Sequence, residues 1–188
     1  YTVIDYEMEV EKTVEVEVVS DYEYLSDREW TSAESQWGNP RRNTTIKGMV
    51  NGQVTDFEKG IGIHANGTIT YDLSNEDFDN FEALLGVDGG IEAQDTSSIK
   101  FEVLGDGKVL TTTETLKYSN NMVYINVPVK GVKQLVIKVT DSDNGNTLDH
   151  SVIVNPKLTT NNAKPVIKVE DKIYKLGEAV DFMAGVEA

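Results

Sequence analysis

Apolar residues recur at every second position in short segments along this chain, a period that lines one face of a β-strand and fits no helix packed on a core. Ile69-Thr70-Tyr71-Asp72-Leu73, Ile99-Lys100-Phe101-Glu102-Val103, Val123-Tyr124-Ile125-Asn126-Val127 and Leu135-Val136-Ile137-Lys138-Val139 all alternate, and all are rich in β-branched or aromatic residues. Val14-Glu15-Val16-Glu17-Val18 shows the same pattern near the start. Between these segments stand residues that tolerate positive φ: Asn66-Gly67, Asp88-Gly89-Gly90, Asp106-Gly107, Ser119-Asn120-Asn121 and Asp143-Asn144-Gly145. Asp106-Gly107 between two strand-like runs predicts a tight hairpin. The nearest approach to a 3.6 period is Asn75 to Leu85, with a short helical turn expected around Glu76-Asp77-Phe78. The pattern therefore predicts an all-β fold, an antiparallel β-sandwich or jelly roll.

The same reading divides the chain. Residues 1–19 are expected to be a strand or linker from a preceding module, and residues 20–158 the main β-sandwich. Thr159-Thr160-Asn161-Asn162-Ala163-Lys164-Pro165 is polar and closed by proline, as an interdomain linker is. Residues 166–188 restart a strand pattern that breaks off, so the sequence reads as a piece of a longer protein.

Charge and composition remove several classes of function. Thirty-two acidic against 17 basic residues give a formal charge of -15, which excludes a duplex-binding surface built on clustered Lys and Arg. No stretch approaches the roughly 20 apolar residues that span a bilayer, so no membrane insertion is expected. With no cysteine there is no disulfide framework and no thiolate chemistry.

The two histidines stand in suggestive surroundings. His64 follows Gly60-Ile61-Gly62-Ile63, where glycines allow a close approach to the backbone. It suits either a hydroxyl-binding imidazole or a satisfied structural residue. Asp149-His150 has no serine motif beside it that would complete a catalytic triad. Trp37 begins a polar loop, Gly38-Asn39-Pro40-Arg41-Arg42-Asn43, in which an aromatic face can stack on a pyranose or pack against the sheet end. Asp88 and Asp95 bracket Gly89-Gly90-Ile91-Glu92, whose oxygens either hold a structural calcium ion or form a solvated acidic loop. Asp141 to Asn146 has the wrong register for an EF-hand, and a polar turn accounts for it better.

Tyr24-Leu25-Ser26-Asp27, Trp30, Trp37-Gly38, Lys59-Gly60-Ile61-Gly62-Ile63-His64-Ala65, Gly86-Val87-Asp88, Asp106-Gly107-Lys108, Gly131-Val132-Lys133-Gln134-Leu135 and Asp149-His150 come in an order that resembles the NPCBM family of carbohydrate-binding modules. The likeness runs over residues 24–158. It implies a galactose-binding-domain-like sandwich appended to secreted bacterial glycoside hydrolases, with galactose or blood-group-type glycans as ligands and a structural metal in some members. Where the family continues Asp-His-Ala-Asp-Trp, this chain has Asp149-His150-Ser151-Val152-Ile153. Residues 164–188 resemble the start of a bacterial immunoglobulin-like repeat, carried by Lys164-Pro165-Val166-Ile167 and Leu176-Gly177-Glu178.

The function expected is thus a non-catalytic, extracellular or cell-surface module that brings a catalytic domain in cis to a terminal galactose-type sugar. The alternatives are a spacer that has lost its sugar, or an enzyme with a carboxylate pair, for which no motif selects the two acids. Trp37, His64 and Asp149 are expected at the sugar, with Arg42, Asn66 and His150 beside them. His64 and Asp149-His150 are expected to meet at one end of the sandwich by starting strands that run in the same direction.

Overall fold

The computed structural model describes residues 22–91, 96–143 and 145–160, all within one unit of the chain, Ser20–Asn162. The strands in chain order are β1 (Tyr22–Tyr24), β2 (Ser32–Ser35), β3 (Arg41–Arg42), β4 (Ile46–Val50), β5 (Gln53–Phe57), β6 (Gly60–His64) and β7 (Gly67–Asp72). Then come β8 (Asn80–Val87), β9 (Ser98–Gly105), β10 (Lys108–Thr112), β11 (Leu116–Lys117), β12 (Val123–Pro128), β13 (Gln134–Thr140) and β14 (His150–Thr159). One sheet runs β12-β8-β14-β6-β3, with β1 beside the far half of β14. The other runs β10-β9-β13-β7-β2, with β11 on β9. A separate β4-β5 hairpin completes the fold, and every one of these pairings is antiparallel.

The alternation seen in the sequence is the alternation between core and surface. Phe81, Ala83 and Leu85 of β8 meet Ile69 and Tyr71 of β7, Phe101 and Val103 of β9, and Leu135 and Ile137 of β13 in one buried cluster. The Asp106-Gly107 hairpin forms with φ of 49° and 77°, as a two-residue turn between twisted strands requires. A second such turn, Asn51-Gly52, closes β4-β5 and was not singled out from the sequence.

The expected helical turn near Glu76 is absent. Among the described residues there is no helix, and residues 80–87 form a strand instead. Flanking strands β12 and β14 hold β8 on both edges, so the two-residue period of Phe81, Ala83 and Leu85 decides its conformation. Thr159, read as the first linker residue, is the last residue of β14 and pairs with Tyr22 and Asn80. The expectations for residues 1–19 and 166–188, and for the rest of the linker, lie outside the described residues.

The outer face of the first sheet carries a lid. Ile46 of β4 packs on Val152 and Val154 of β14, with Phe57, Leu84 and Met122 around them. This explains Gly60 and Gly62, which alternate with the core residues Ile61 and Ile63 and so face outward. A Cβ on Gly60 would lie 2.8 Å from the Ile153 carbonyl oxygen and 2.8 Å from Ile46 Cγ2. A Cβ on Gly62 would meet the Arg41 guanidinium at 2.4 Å. Gly60→Ala is therefore expected to lower stability by about 1–3 kcal/mol, the usual cost of overpacking a close contact. Urea denaturation measures it, and a loss under about 0.5 kcal/mol, the ordinary range for surface substitutions, would refute the close packing of lid on sheet.

Candidate functional site

β6 ends and β14 begins at the same end of the first sheet, and their register sets His64 directly opposite His150. The two histidines do share one end of the sandwich, but by antiparallel pairing: His64 closes its strand and His150 opens the next. The two rings stand edge to face, with centroids 4.6 Å apart and planes at 89°. Trp37 completes the group, 5.1 Å from His150 and 5.7 Å from His64. Its indole is 64% exposed, whereas His64 is buried.

Hydrogen bonds around residues 35–37 and 66 hold the indole in place. The Ser35 hydroxyl donates to the Trp37 carbonyl oxygen at 2.8 Å and accepts the His64 N–H at 3.3 Å. The Gln36 N–H donates to the Asn66 carbonyl oxygen at 2.9 Å, and Gln36 Oε1 accepts both the backbone N–H and Nδ2 of Asn66 at 3.1 Å. Asn66 Oδ1 accepts the Asp141 N–H at 3.1 Å. Asn66 is thus a clamp between two loops. His64 Nδ1 donates to the Ala65 carbonyl oxygen, which leaves Nε2 of the neutral ring as an acceptor.

These residues surround an open pocket of about 470 Å³ lined by Gln36, Trp37, His64, Asn146, Thr147, Leu148 and His150. Gln36 and residues 146–148 escaped the sequence reading. The nearest signals are the position of Gln36 beside Trp37 and the loop before Asp149, in which Asp141 to Asn146 reads as a polar turn.

Three of the expected residues do not line this pocket: Asn66, which clamps its rim, Asp149 and Arg42. Asp149 is completely buried. Its Oδ1 accepts the Ser98 N–H at 2.8 Å, and its carbonyl oxygen accepts the Ala65 N–H at 2.9 Å. Asp149 therefore ties the start of β9 to the chain just after His64, and burial raises its carboxyl above the usual range. Arg42 donates to the Arg28 carbonyl oxygen at 2.6 Å and to Glu29 at 2.7 Å, with its guanidinium 4.3 Å from the Trp30 ring. Consecutive strand residues face opposite ways, so it is Arg41 that lies over Gly62 on the pocket side of the sheet.

Arg41 also settles how Asp88 is used. Arg41 Nη2 pairs with Asp88 Oδ2 at 2.5 Å, and the Gly90 N–H donates to Oδ1 at 2.8 Å. A guanidinium already pairs with this buried carboxylate, so Oδ2 of Asp88 is engaged in an ion pair and Oδ1 in the turn to Gly90. Asp95, its expected partner, lies outside the described residues. Among the described residues no group of three or more His, Asp or Glu is placed to hold a metal ion.

The NPCBM/NEW2 domain family matches residues 21–159. The chain belongs to that family. It is 34% identical over 115 residues to the Clostridium perfringens blood-group-substance endo-1,4-beta-galactosidase, covering 54% of this chain and 14% of that protein. The chain thus spans about one seventh of the length of that relative. The CBM51 module of Clostridium perfringens GH95, solved in complex with methyl-galactose, is 31% identical with a TM-score of 0.70, covering 74% of this chain and 100% of that one. The M60 catalytic domain of Clostridium perfringens ZmpB with its CBM51-1 and CBM51-2 domains matches at 34% identity and a TM-score of 0.73, covering 89% of this chain and 18% of that one. This NPCBM/NEW2 domain is a carbohydrate-binding module, and such modules are non-catalytic.

The departure from the family pattern after His150 lies outside the lining of the Trp37 pocket. Ser151, Val152 and Ile153 are all fully buried within β14.

Two outcomes follow from the charges. Asp88→Asn should cost about 1–3 kcal/mol, as leaving a desolvated partner unpaired does, and should cost the same in calcium as in chelator. A loss seen only with calcium present would favour a bound ion at this loop. Burial, and next the neighbouring His64, hold the His150 imidazole below its ordinary value of 6.5. As pH falls below about 6.5 the unfolded chain takes up a proton that the folded chain refuses, so stability drops toward the depressed folded value. His150→Asn should flatten that slope in urea melts between pH 7 and 5, and an unchanged slope would contradict it.

Proposed function

We propose that this module binds a terminal galactose-type sugar in the pocket formed by Trp37, His64 and His150. The observation that carries the reading is the gathering of three rings within 5.7 Å around an open pocket, in a chain 31% identical to a module solved with methyl-galactose. Trp37 offers an exposed aromatic face for the C–H surface of a pyranose. His64 Nε2 accepts from one hydroxyl, and His150 and the Gln36 amide supply further polar contacts. Asn66 and Asp149 act as positioning residues.

Binding at so open a site is weak, because exposed hydrogen bonds exchange with water. Millimolar to micromolar affinity, about -4 to -8 kcal/mol, is expected. Weak binding is useful when a catalytic domain lies in cis, since the tether makes the second encounter intramolecular. The parent protein in this reading is a secreted or cell-surface glycoside hydrolase acting on galactose-containing glycans. No helix of the described residues is long and apolar enough to cross a membrane.

Calorimetric titration of methyl-galactoside and N-acetylglucosamine tests the assignment. Wild type should prefer the galactoside, while Trp37→Ala and His64→Ala, each shown to be folded, should lose tenfold or more, about 1.4 kcal/mol. Arg42→Ala should bind like wild type. Retained binding in both ring variants would move the site elsewhere, and silence of wild type toward every sugar would favour a spacer.

A further inference from the structure

A second cavity, of about 310 Å³, opens on the outer face of the second sheet and shares Gln36 with the Trp37 pocket. Strand register builds its floor. Glu34 of β2, Thr68 of β7 and Lys138 of β13 stand opposite one another in a single row, which Glu102 of β9 continues beyond the cavity. The row is polar and faces solvent, because Ile69 and Ile137 beside it point into the core.

Gln36 lies at the join. Two donors from Asn66 fix its Oε1, so the orientation of the amide is set by the protein. Both Nε2 protons are left without a partner among the described residues. A fixed, unpaired amide between two cavities is placed to meet the linkage between two sugars. The cavity has no aromatic residue in its lining, so it lacks the platform that would hold a pyranose by itself. A residue already tethered to a sugar in the Trp37 pocket needs no such platform, because its binding is intramolecular.

We propose that the groove over Glu34, Thr68 and Lys138 is a second sugar subsite, entered across Gln36, that takes the next residue of a neutral oligosaccharide. The proposal rests on the reading that the terminal sugar occupies the Trp37 pocket. The neutral class follows from charge. Lys138 Nζ lies 3.7 Å from Glu102 Oε2, and Glu34 adds a second carboxylate, so the groove has no surplus of positive charge for sialic acid or sulfate.

The test is calorimetric titration of methyl-galactoside against neutral galactose-terminated di- and trisaccharides of several linkages. Wild type and a Glu34→Ala/Lys138→Ala double variant are compared, the variant checked by its thermal midpoint. At least one oligosaccharide should bind wild type roughly fivefold to fiftyfold more tightly than methyl-galactoside, the return from one to three added hydrogen bonds. The double variant should lose that gain and keep the affinity for methyl-galactoside. Equal binding of methyl-galactoside and all oligosaccharides to wild type, or a gain that survives in the variant, overturns the subsite alone. A sialylated trisaccharide bound more tightly than its neutral counterpart overturns the neutral class. Failure of wild type to bind any of these sugars defeats the terminal-sugar reading and the subsite together.

Discussion

The pairing of β14 with β6 on one side and β8 on the other is the constraint on which the site depends. A strand held on both edges cannot slip without turning every side chain to the opposite face, so its first residue is fixed as firmly as its middle. That residue is His150. Its carbonyl oxygen accepts the Asp88 N–H at 2.9 Å, and the preceding carbonyl, of Asp149, accepts the Ala65 N–H at 2.9 Å. The chain after β8 and the chain after β6 are therefore both latched to the start of β14. Ring positions set this way need little ordering when a ligand arrives, which matters most where each contact is weak.

The lid on the outer face works with the same ladder. Without side chains at Gly60 and Gly62, Ile46 and Arg41 come down onto β6, and Arg41 reaches Asp88. The result is a paired charge beside the rings in a chain whose formal charge is -15. His150 senses both partners, and their effects oppose one another, so burial and His64 are left to depress its basicity. The acidity of the whole chain says little about the electrostatics of this site.

The strands that were legible in the sequence are those whose two faces differ. Ile69 to Leu73, Ile99 to Val103 and Leu135 to Val139 alternate because one face lies in the core. Asn80–Val87 was harder to read, since Leu84 and Gly86 on its outer face are covered by the lid and Met122, which blurs the alternation. Trp37, His64 and His150 stood out as rare residue types beside turns, and the structure brings them together. Asp149 is expected at the sugar and Arg42 beside it, but the burial of Asp149 depends on its bonds to Ser98 and Ala65, and the direction of Arg42 on which way β3 faces, neither of which spacing decides. Gln36 and Leu148 are common residue types whose only signal is position, beside Trp37 and beside Asp149.

The ring group draws on both sheets. His64 and His150 belong to the first sheet, whereas Trp37 follows β2 at the edge of the second. Asn66, in the turn where the chain passes from β6 to β7, is the residue that joins them through Gln36 and Asp141. The distance from indole to imidazole is thus set by the spacing of the sheets, and that spacing is set by core side chains such as Phe81, Tyr71 and Phe101. Packed cores resist continuous deformation, so the pocket inherits the rigidity of the sandwich even though its lining is loop. The turn that made Asn66-Gly67 readable as a break between strands is for the same reason the place where the two halves of the site are registered.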